Sequence, residues 1–564
     1  MSSEPTRGRL PAAQAIVRLL AERGIDRAFC VPGESYLPLL DALQDSAIDL
    51  VVCRHESGAG FAALADAQAT RRAGRFLVSR GPGATNGSIA IHSAMHDALP
   101  VVMICGQVAR DEAGRHAFQD MDYRQVFGTV AKWVTQVDEP QRLLETMARA
   151  LDVACSGRPG PVVVAIPEDV FEAEVSLEGQ PVMASACAGP QLDAALVDSL
   201  AGELARAQRP LIIGGSLINT PAGREALARL ARTLRVPVAV DFRQQDLLPN
   251  DDPLYAAHLG FKIPPAQVER LAQADLILAL GTDLGDTPTQ RYTFPRAPVP
   301  TQRLVHVYPD AEVAARVYQP QLRCIADPVL TLQALAARAG AHADAVPAAS
   351  RDAWIGTLQD YLRGLRTIEP IATDDGVCFG DVVAALDRHM ADDGVLVIDS
   401  GNFNTWTQRC YGFRGERRMS GTMAGAMGMG VPGALAWSLR CPGRQVVALV
   451  GDGCVLMTGN ELATAVQHGA APRLFIADNG SYGTIRLHQE KRFPGRVAGT
   501  RLANPDFARW GESFGATAWR IDRAEEVDAT VAAALGCPGP AVVHVRTSLR
   551  RLSAFYTMTP EAAR

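Results

Sequence analysis

The stretch VGDGCVLMTG, residues 450–459, follows the apolar run RQVVALV and leaves one carboxylate, Asp452, between two glycines. A parallel strand that ends this way presents its side chain where open α/β sheets bind ligands. Gly451 and Gly453 let the backbone approach a bulky anion, and the amides that open the next helix, those of Gly453 and Cys454, can hold phosphate oxygens. A second polar terminus follows: RLFIADNGSYG ends its strand with Asn479, 27 residues after Asp452, the length of one strand, helix and strand unit. The two side chains are therefore expected at adjacent strand ends. One carboxylate, one amide oxygen and a backbone carbonyl leave an octahedral hard cation dependent on phosphate and water oxygens. GDG and DNG are each ordinary turns when read alone, but at this spacing they point to a bound metal diphosphate.

Around this stretch, short Val-, Ile- and Leu-rich runs alternate with longer Ala- and Leu-rich helical segments over 564 residues. Continuous apolar strands between helices predict doubly wound parallel sheets covered on both faces. Two stretches break the pattern: 174–191, which has neither periodicity, and 337–352, an Ala-rich polar linker. They divide the chain into units 1–180, 190–340 and 355–564. The first and third units echo each other. SGRPGPVVVAIPED (156–169) matches LGCPGPAVVHVRTS (535–548), and AMHDALPVVMICG (94–106) matches AVQHGAAPRLFIADN (465–479), so the expected fold is three α/β units with the outer two related.

Lys and Arg total 55 against 61 Asp and Glu, a net charge of −6 with the signs interspersed, which argues against a nucleic-acid partner. The eleven cysteines are scattered and form no C-x-x-C pair, so neither a disulfide framework nor a cysteine metal site is expected. No uncharged apolar run reaches the roughly 18 residues of a membrane span. The chain is read as soluble, unprocessed and cytoplasmic.

GDG followed by DN at this distance resembles the cofactor motif of thiamine diphosphate enzymes. The resemblance implies that Asp452, Asn479 and the carbonyl of Ser481 ligate Mg²⁺. Such an enzyme also needs a carboxylic acid on the cofactor's pyrimidine nitrogen. VVCRHESGAGFAALADA supplies Glu56, placed as in the family's RHE motif, although alone it would read as a helix-opening Glu stabilised by the dipole. The family builds its site between subunits, so Glu56 of one chain faces Asp452 of another, and a homodimer or homotetramer is implied. SRGPGATNGSIA (79–90) is similar to the family's SGPGATN loop and places Ser79, Pro82 and Asn86 near the cofactor, with Arg80 where serine is usual. DSGNFNTW (399–406) gives Gly401, Asn402 and Asn404 to the diphosphate side, and AGAMGMGVPGA (424–434) puts Gly425 and Met427 against the aminopyrimidine. The resemblance spans essentially the whole chain. It is nearest the acetolactate synthase group, because GRHAFQDMDYRQVFGTVAKW matches the segment whose Phe and Gln, here Phe118 and Gln119, line the substrate pocket.

Three positions depart from that group. Glu34 stands in CVPGESYLPLLDAL where acetolactate synthases have small residues and simple 2-keto acid decarboxylases an acid. It is expected to lie buried near Glu56 and to act as a proton donor, the alternative being an exposed Glu at a helix start. His488 stands where those synthases carry the tryptophan that selects the acceptor, which implies a different acceptor, or a surface histidine on a charged helix. The middle unit has IIGGS (212–216) and LGTDLGDTPTQRYT (281–293) in place of the flavin loops, weak fingerprints that lean against FAD. The implied reaction is decarboxylation of a 2-keto acid, most simply pyruvate, with attack of the resulting enamine on a second carbonyl compound. Glu56 would activate the cofactor, and Gln119, His488 and Glu34 would orient substrates and move protons. The main alternative is a decarboxylase that releases aldehyde; a flavin-dependent oxidase and a non-catalytic binding protein on the same fold are further ones.

Overall fold

The computed structural model describes residues 8–178, 189–261, 263–366 and 373–559. Three six-stranded sheets, parallel throughout, carry the architecture. The first contains β1 (Arg27–Cys30), β2 (Asp49–Val52), β3 (Gly74–Val78), β4 (Val101–Gln107), β5 (Trp133–Gln136) and β6 (Pro161–Pro167), in the spatial order β2-β1-β3-β4-β6-β5. The second contains β7 (Pro210–Gly214), β8 (Val238–Asp241), β9 (Tyr255–Leu259), β10 (Leu276–Leu280), β11 (Arg303–Tyr308) and β12 (Leu322–Ile325), ordered β9-β8-β7-β10-β11-β12. The third contains β13 (Val395–Ile398), β14 (Arg418–Ser420), β15 (Val446–Gly451), β16 (Arg473–Asp478), β17 (Thr517–Ile521) and β18 (Ala541–Arg546), ordered β14-β13-β15-β16-β18-β17.

The first and third sheets share one topology, and both sequence echoes fall on equivalent strands, β4 with β16 and β6 with β18. The central strands are buried along their whole length on both faces. That is why they read as unbroken apolar runs rather than alternating ones.

One break in the sequence pattern is corrected. The segment 337–352 is not a linker: it forms a 3-10 turn, Ala339–Ala345, and enters the helix Ala348–Arg366. Alanine is the strongest helix former, and the segment packs on the middle unit, where the buried Arg351 donates to the carbonyls of Leu204, Ala207 and Leu234 and Trp354 Nε1 donates to Pro210 O at 3.0 Å. Within 174–191, Glu174–Ser176 pairs antiparallel with Arg9–Pro11, and residues 179–188 lie outside the described ones.

The outer units are joined through equivalent helices, Glu56–Thr70 after β2 and Gly430–Arg440 after β14. Arg440 Nε donates to Asp66 at 2.8 Å, Ser420 Oγ to Gln68 at 2.6 Å, and the Met423 and Ala424 amides to Asp97 at 2.9 and 3.1 Å. No described helix is long and apolar enough to cross a membrane, and the ten described cysteines are all unpaired.

Candidate active site

Gly451 pairs with Ala477 in the β15–β16 register, so Asp452 and Asn479 leave the carboxyl ends of neighbouring strands, as their spacing predicts. They open onto a cavity of about 500 Å³. Gly401, Asn402, Asn404, Gly425, Met427, Gly453, Cys454, Ser481 and His488 line it with them, which gathers every residue singled out in the third unit. Asp399, buried at the end of β13, shapes this wall by accepting the amides of Ser400, Gly428 and Gly430 at 2.7, 3.0 and 2.8 Å. The turn between needs Gly425 in the left-handed region, φ +69°, and a Cβ there would meet nothing within 4 Å. The opposite wall is fixed because Tyr482 and Leu502 donate to Thr500 O and Gly480 O, each at 2.8 Å.

Burial pushes the Asp452 carboxyl up to about 7, and the charge of Asp478 adds to this. Asp478 shifts the other way: its own burial raises it, but hydrogen bonds from His544, Asn504 and the Gly480 amide outweigh that and hold it below the ordinary carboxylate value. Asn504 joins the two, its Nδ2 donating to Asp452 at 2.9 Å and to Asp478 at 2.8 Å, while His544 Nε2 meets Asp478 at 2.8 Å. Asn504 and His544 escaped the sequence reading, since no local spacing ties them to Asp452.

A hard cation fits here. Asn479 Oδ1 is buried and lacks a hydrogen-bond partner, Asp452 lies beside it, and the Ser481 amide donates to Asp452 at 3.3 Å, which brings that loop into reach. No cluster of three His, Cys, Asp or Glu able to hold a metal occurs among the described residues, so a cation would draw its other ligands from a diphosphate and water. The helix that opens at Asp452 and the glycines around the cavity leave room for that diphosphate.

The first unit forms a separate cluster. Glu56 opens its helix, buried, and its Oε2 accepts from the side-chain Nδ2 of Asn86 at 2.9 Å. A Cβ on Gly83 would come within 2.5 Å of Ser79 Oγ and 3.2 Å of Glu56 Oε1, and one on Gly81 within 2.8 Å of Gln119 O, so the loop carrying Ser79 and Pro82 lies against both Glu56 and Gln119. Gln119 adopts φ +65°, an uncommon backbone for a non-glycine residue. Phe118 beside it is 72% exposed in the single chain. None of these residues lines the Asp452 cavity.

Glu34, expected to lie buried beside Glu56, pairs with Arg80 within the single chain. Arg80 Nη2 donates to Glu34 Oε1 at 2.7 Å, and the Glu34 side chain is 69% exposed in the single chain. An arginine in place of the usual serine supplies a partner stronger than any apolar pocket could offer.

The middle unit adds Phe242, Arg243 and Phe261 to the cavity wall, which the sequence did not reveal. Its glycine loops are engaged with each other. The Leu217 amide donates to Gly281 O at 3.2 Å, and a Cβ on Gly215 would come 2.3 Å from that same oxygen. Thr282 Oγ1 donates to Asp241 at 2.6 Å, and His306 Nε2 meets Thr282 O at 2.9 Å. The loops after β7 and β10, where the strand order reverses, are thus hydrogen-bonded to each other, and Ser216 and Asn219 beside them line a second cavity of about 250 Å³ with Gln244 and Asp246.

Comparison with known proteins agrees with this geometry. Residues 11–126, 197–335 and 399–545 match, in turn, the N-terminal TPP binding domain, the central domain and the C-terminal TPP binding domain of thiamine pyrophosphate enzymes. The chain is 30% identical over 565 residues to the acetolactate synthase isozyme 1 large subunit of Escherichia coli, covering 99% of this chain and 97% of that one. It is 32% identical over 541 residues to the acetolactate synthase large subunit of Corynebacterium glutamicum, covering 92% and 84%. A catabolic acetolactate synthase of Raoultella terrigena is 29% identical over 551 residues, covering 95% of each.

Proposed function

This chain belongs to the thiamine pyrophosphate enzymes, and on that premise we propose that it decarboxylates a 2-keto acid, pyruvate in the simplest case, and joins the remaining fragment to a second carbonyl compound. The observation that carries the proposal is the pairing of Asp452 with the unpartnered Asn479 oxygen at the mouth of a cavity of about 500 Å³. Asp452, Asn479 and the Ser481 carbonyl would hold Mg²⁺. Gly401, Asn402, Asn404, Gly453 and Cys454 would hold the diphosphate, and Gly425 and Met427 would support the rings. When bound, thiamine diphosphate supplies a nucleophilic carbon and a cationic ring that accepts the electron pair left by CO₂.

The protein's own groups do the rest. Glu56 would hydrogen-bond the pyrimidine and is held in place by Asn86. Because Glu56 and the cavity do not meet within one chain, the reading requires at least a homodimer, in which Glu56, Ser79, Pro82, Asn86, Phe118 and Gln119 of one copy cover the cavity of the other. Exposed apolar side chains on both faces, Leu37 and Phe118 in the first unit and Leu456, Met457 and Ile485 in the third, support such burial. Gln119 would orient the donor and His488 the acceptor. Flavin has no part in this reading.

The test supplies the protein with thiamine diphosphate and Mg²⁺, then pyruvate and other 2-keto acids, each with and without a panel of aldehydes and keto acids. Coupled products by mass spectrometry support the reading; free aldehyde alone would replace it with a decarboxylase.

A further inference from the structure

Beside the Asp452 cavity lies a third one, of about 480 Å³, to which the proposed reaction gives no task. Arg409, Lys491 and Arg551 line it, and among the described residues no Asp or Glu does. Aromatic faces and neutral oxygens position the three cations. Arg551 lies over the Trp406 ring, 5.1 Å from its centre, and its Nη1 donates to Thr557 Oγ1 at 2.8 Å. Arg409 lies over Phe555 at 6.0 Å and donates to Leu365 O and Ala554 O at 2.6 and 2.7 Å. Lys491 Nζ stands 4.2 Å from the centre of the Tyr556 ring. Ring faces and carbonyl oxygens fix a cation in place but leave its charge uncancelled. Asp381 attracts Arg551 from outside that wall; the wall itself stays cationic.

The third cavity adjoins the active site along two segments. Arg551 lines both cavities, Leu552 the first and residues 553–557 the third, so one short stretch of chain passes from one to the other. The helix Gly483–Arg492 does the same. His488 lines the Asp452 cavity, and Lys491, three residues on and hence on the same helix face, lines the third. A molecule that reaches past His488 meets cations next.

Resting on the proposed function, we infer that the carbonyl acceptor carries an anionic group, a carboxylate or a phosphate, at the end remote from its carbonyl, and that Lys491, Arg409 and Arg551 receive that group in the third cavity. His488 then meets the carbonyl end of the acceptor and Lys491 its charged end. Such a wall favours an anion twice: it draws the charge in from a distance, and charge-assisted hydrogen bonds hold it on arrival. A neutral acceptor gains neither and leaves the cations repelling one another.

The experiment supplies the protein with thiamine diphosphate, Mg²⁺ and pyruvate and compares matched acceptors, butanal against succinic semialdehyde and glyceraldehyde against glyceraldehyde 3-phosphate. In wild type, kcat/KM for coupled product should favour the charged member of at least one pair by about ten-fold or more, the worth of one charge-assisted hydrogen bond. The pair that responds distinguishes carboxylate from phosphate. Lys491→Glu, a reversal of charge at an exposed position, should cut the preference by about ten-fold, chiefly through KM. Coupling without any charge preference, or a preference that Lys491→Glu leaves intact, overturns the inference alone; a wild type that releases only aldehyde overturns the proposed function with it. A second readout needs no turnover: by calorimetry on the cofactor-loaded protein, the unreactive anions succinate and 3-phosphoglycerate are titrated in turn. At least one should bind wild type about ten-fold more tightly than Lys491→Glu, and equal affinities for both count against the inference. Should Lys491→Glu not fold, Lys491→Gln, which only removes the charge, should give an intermediate preference, and a wild-type preference there refutes it.

Discussion

Replacing Asp452 by asparagine should stabilise the cofactor-free protein while abolishing its response to cofactor. Burial, with Asp478's charge, raises the Asp452 carboxyl from 3.8 to about 7. Its folded value therefore lies above its unfolded one, the native state binds the extra proton between the two, and stability falls as pH rises through that window. Fully developed above pH 7, the effect is worth about 4 kcal/mol. Asparagine carries no charge but keeps one acceptor, so either the Gly453 amide, now 2.9 Å from Oδ1, or the Asn504 and Ser481 donors on Oδ2 lose a partner. That mismatch costs about 2 kcal/mol, leaving a net gain of about 2 kcal/mol near pH 8. The assay is thermal melting with EDTA from pH 4 to 8.5, read as the difference between variant and wild type so that other titrations cancel. The difference should favour the variant increasingly with pH. Adding Mg²⁺ and thiamine diphosphate should reverse the order, because a metal stabilises only the protein that can ligate it. A pH-independent difference, or a variant less stable than wild type at pH 8 without cofactor, would refute the reasoning.

Three further outcomes follow from the site. Glu56→Gln and Asp452→Asn should each be inactive, yet mixing them under subunit exchange should restore about a quarter of wild-type turnover, since half the dimers would carry one intact site of two; no recovery would place both residues in one chain's site. Asn504→Leu removes both donors that join Asp452 to Asp478; calorimetry should show the affinity for Mg²⁺-thiamine diphosphate weakened by about ten-fold, with turnover at saturation near wild type. His488→Trp should change which acceptors are coupled, and an identical product profile would remove His488 from the pocket.

The strands were legible because burial on both faces writes them as unbroken Val, Ile and Leu runs, and the duplication was legible because equivalent strands kept equivalent turns. Asp452 and Asn479 could be placed together because one strand, helix and strand fixes their separation. Contacts set by loops carry no such ruler. Nothing in the spacing announces that Arg80 will reach Glu34, that Asn504 will bridge two aspartates, or that Phe242 and Arg243 of the middle unit will wall the cavity. The error at 337–352 has a different origin: alanines and polar residues suit an exposed helix face as well as a linker, and only the buried anchors Arg351 and Trp354 decide between them.

The packing that builds the chain also keeps the Glu56 cluster and the Asp452 cavity apart. Glu461, fully buried, accepts the amides of Arg54 and His55 at 3.0 Å each, which fixes the start of the Glu56 helix against the same chain's third unit. A Cβ on Gly58 would come 2.3 Å from that carboxylate, so the approach is too close for any other residue. The Asp452 cavity is meanwhile walled by the middle and third units alone. Because the outer sheets share one topology and meet through equivalent helices, a single chain already contains a pseudo-symmetric pair, and it presents the Glu56 cluster and the cavity as two open, preformed faces. On the proposed reading neither face needs to refold to become a site, and a second copy related by a two-fold axis would supply each with its counterpart.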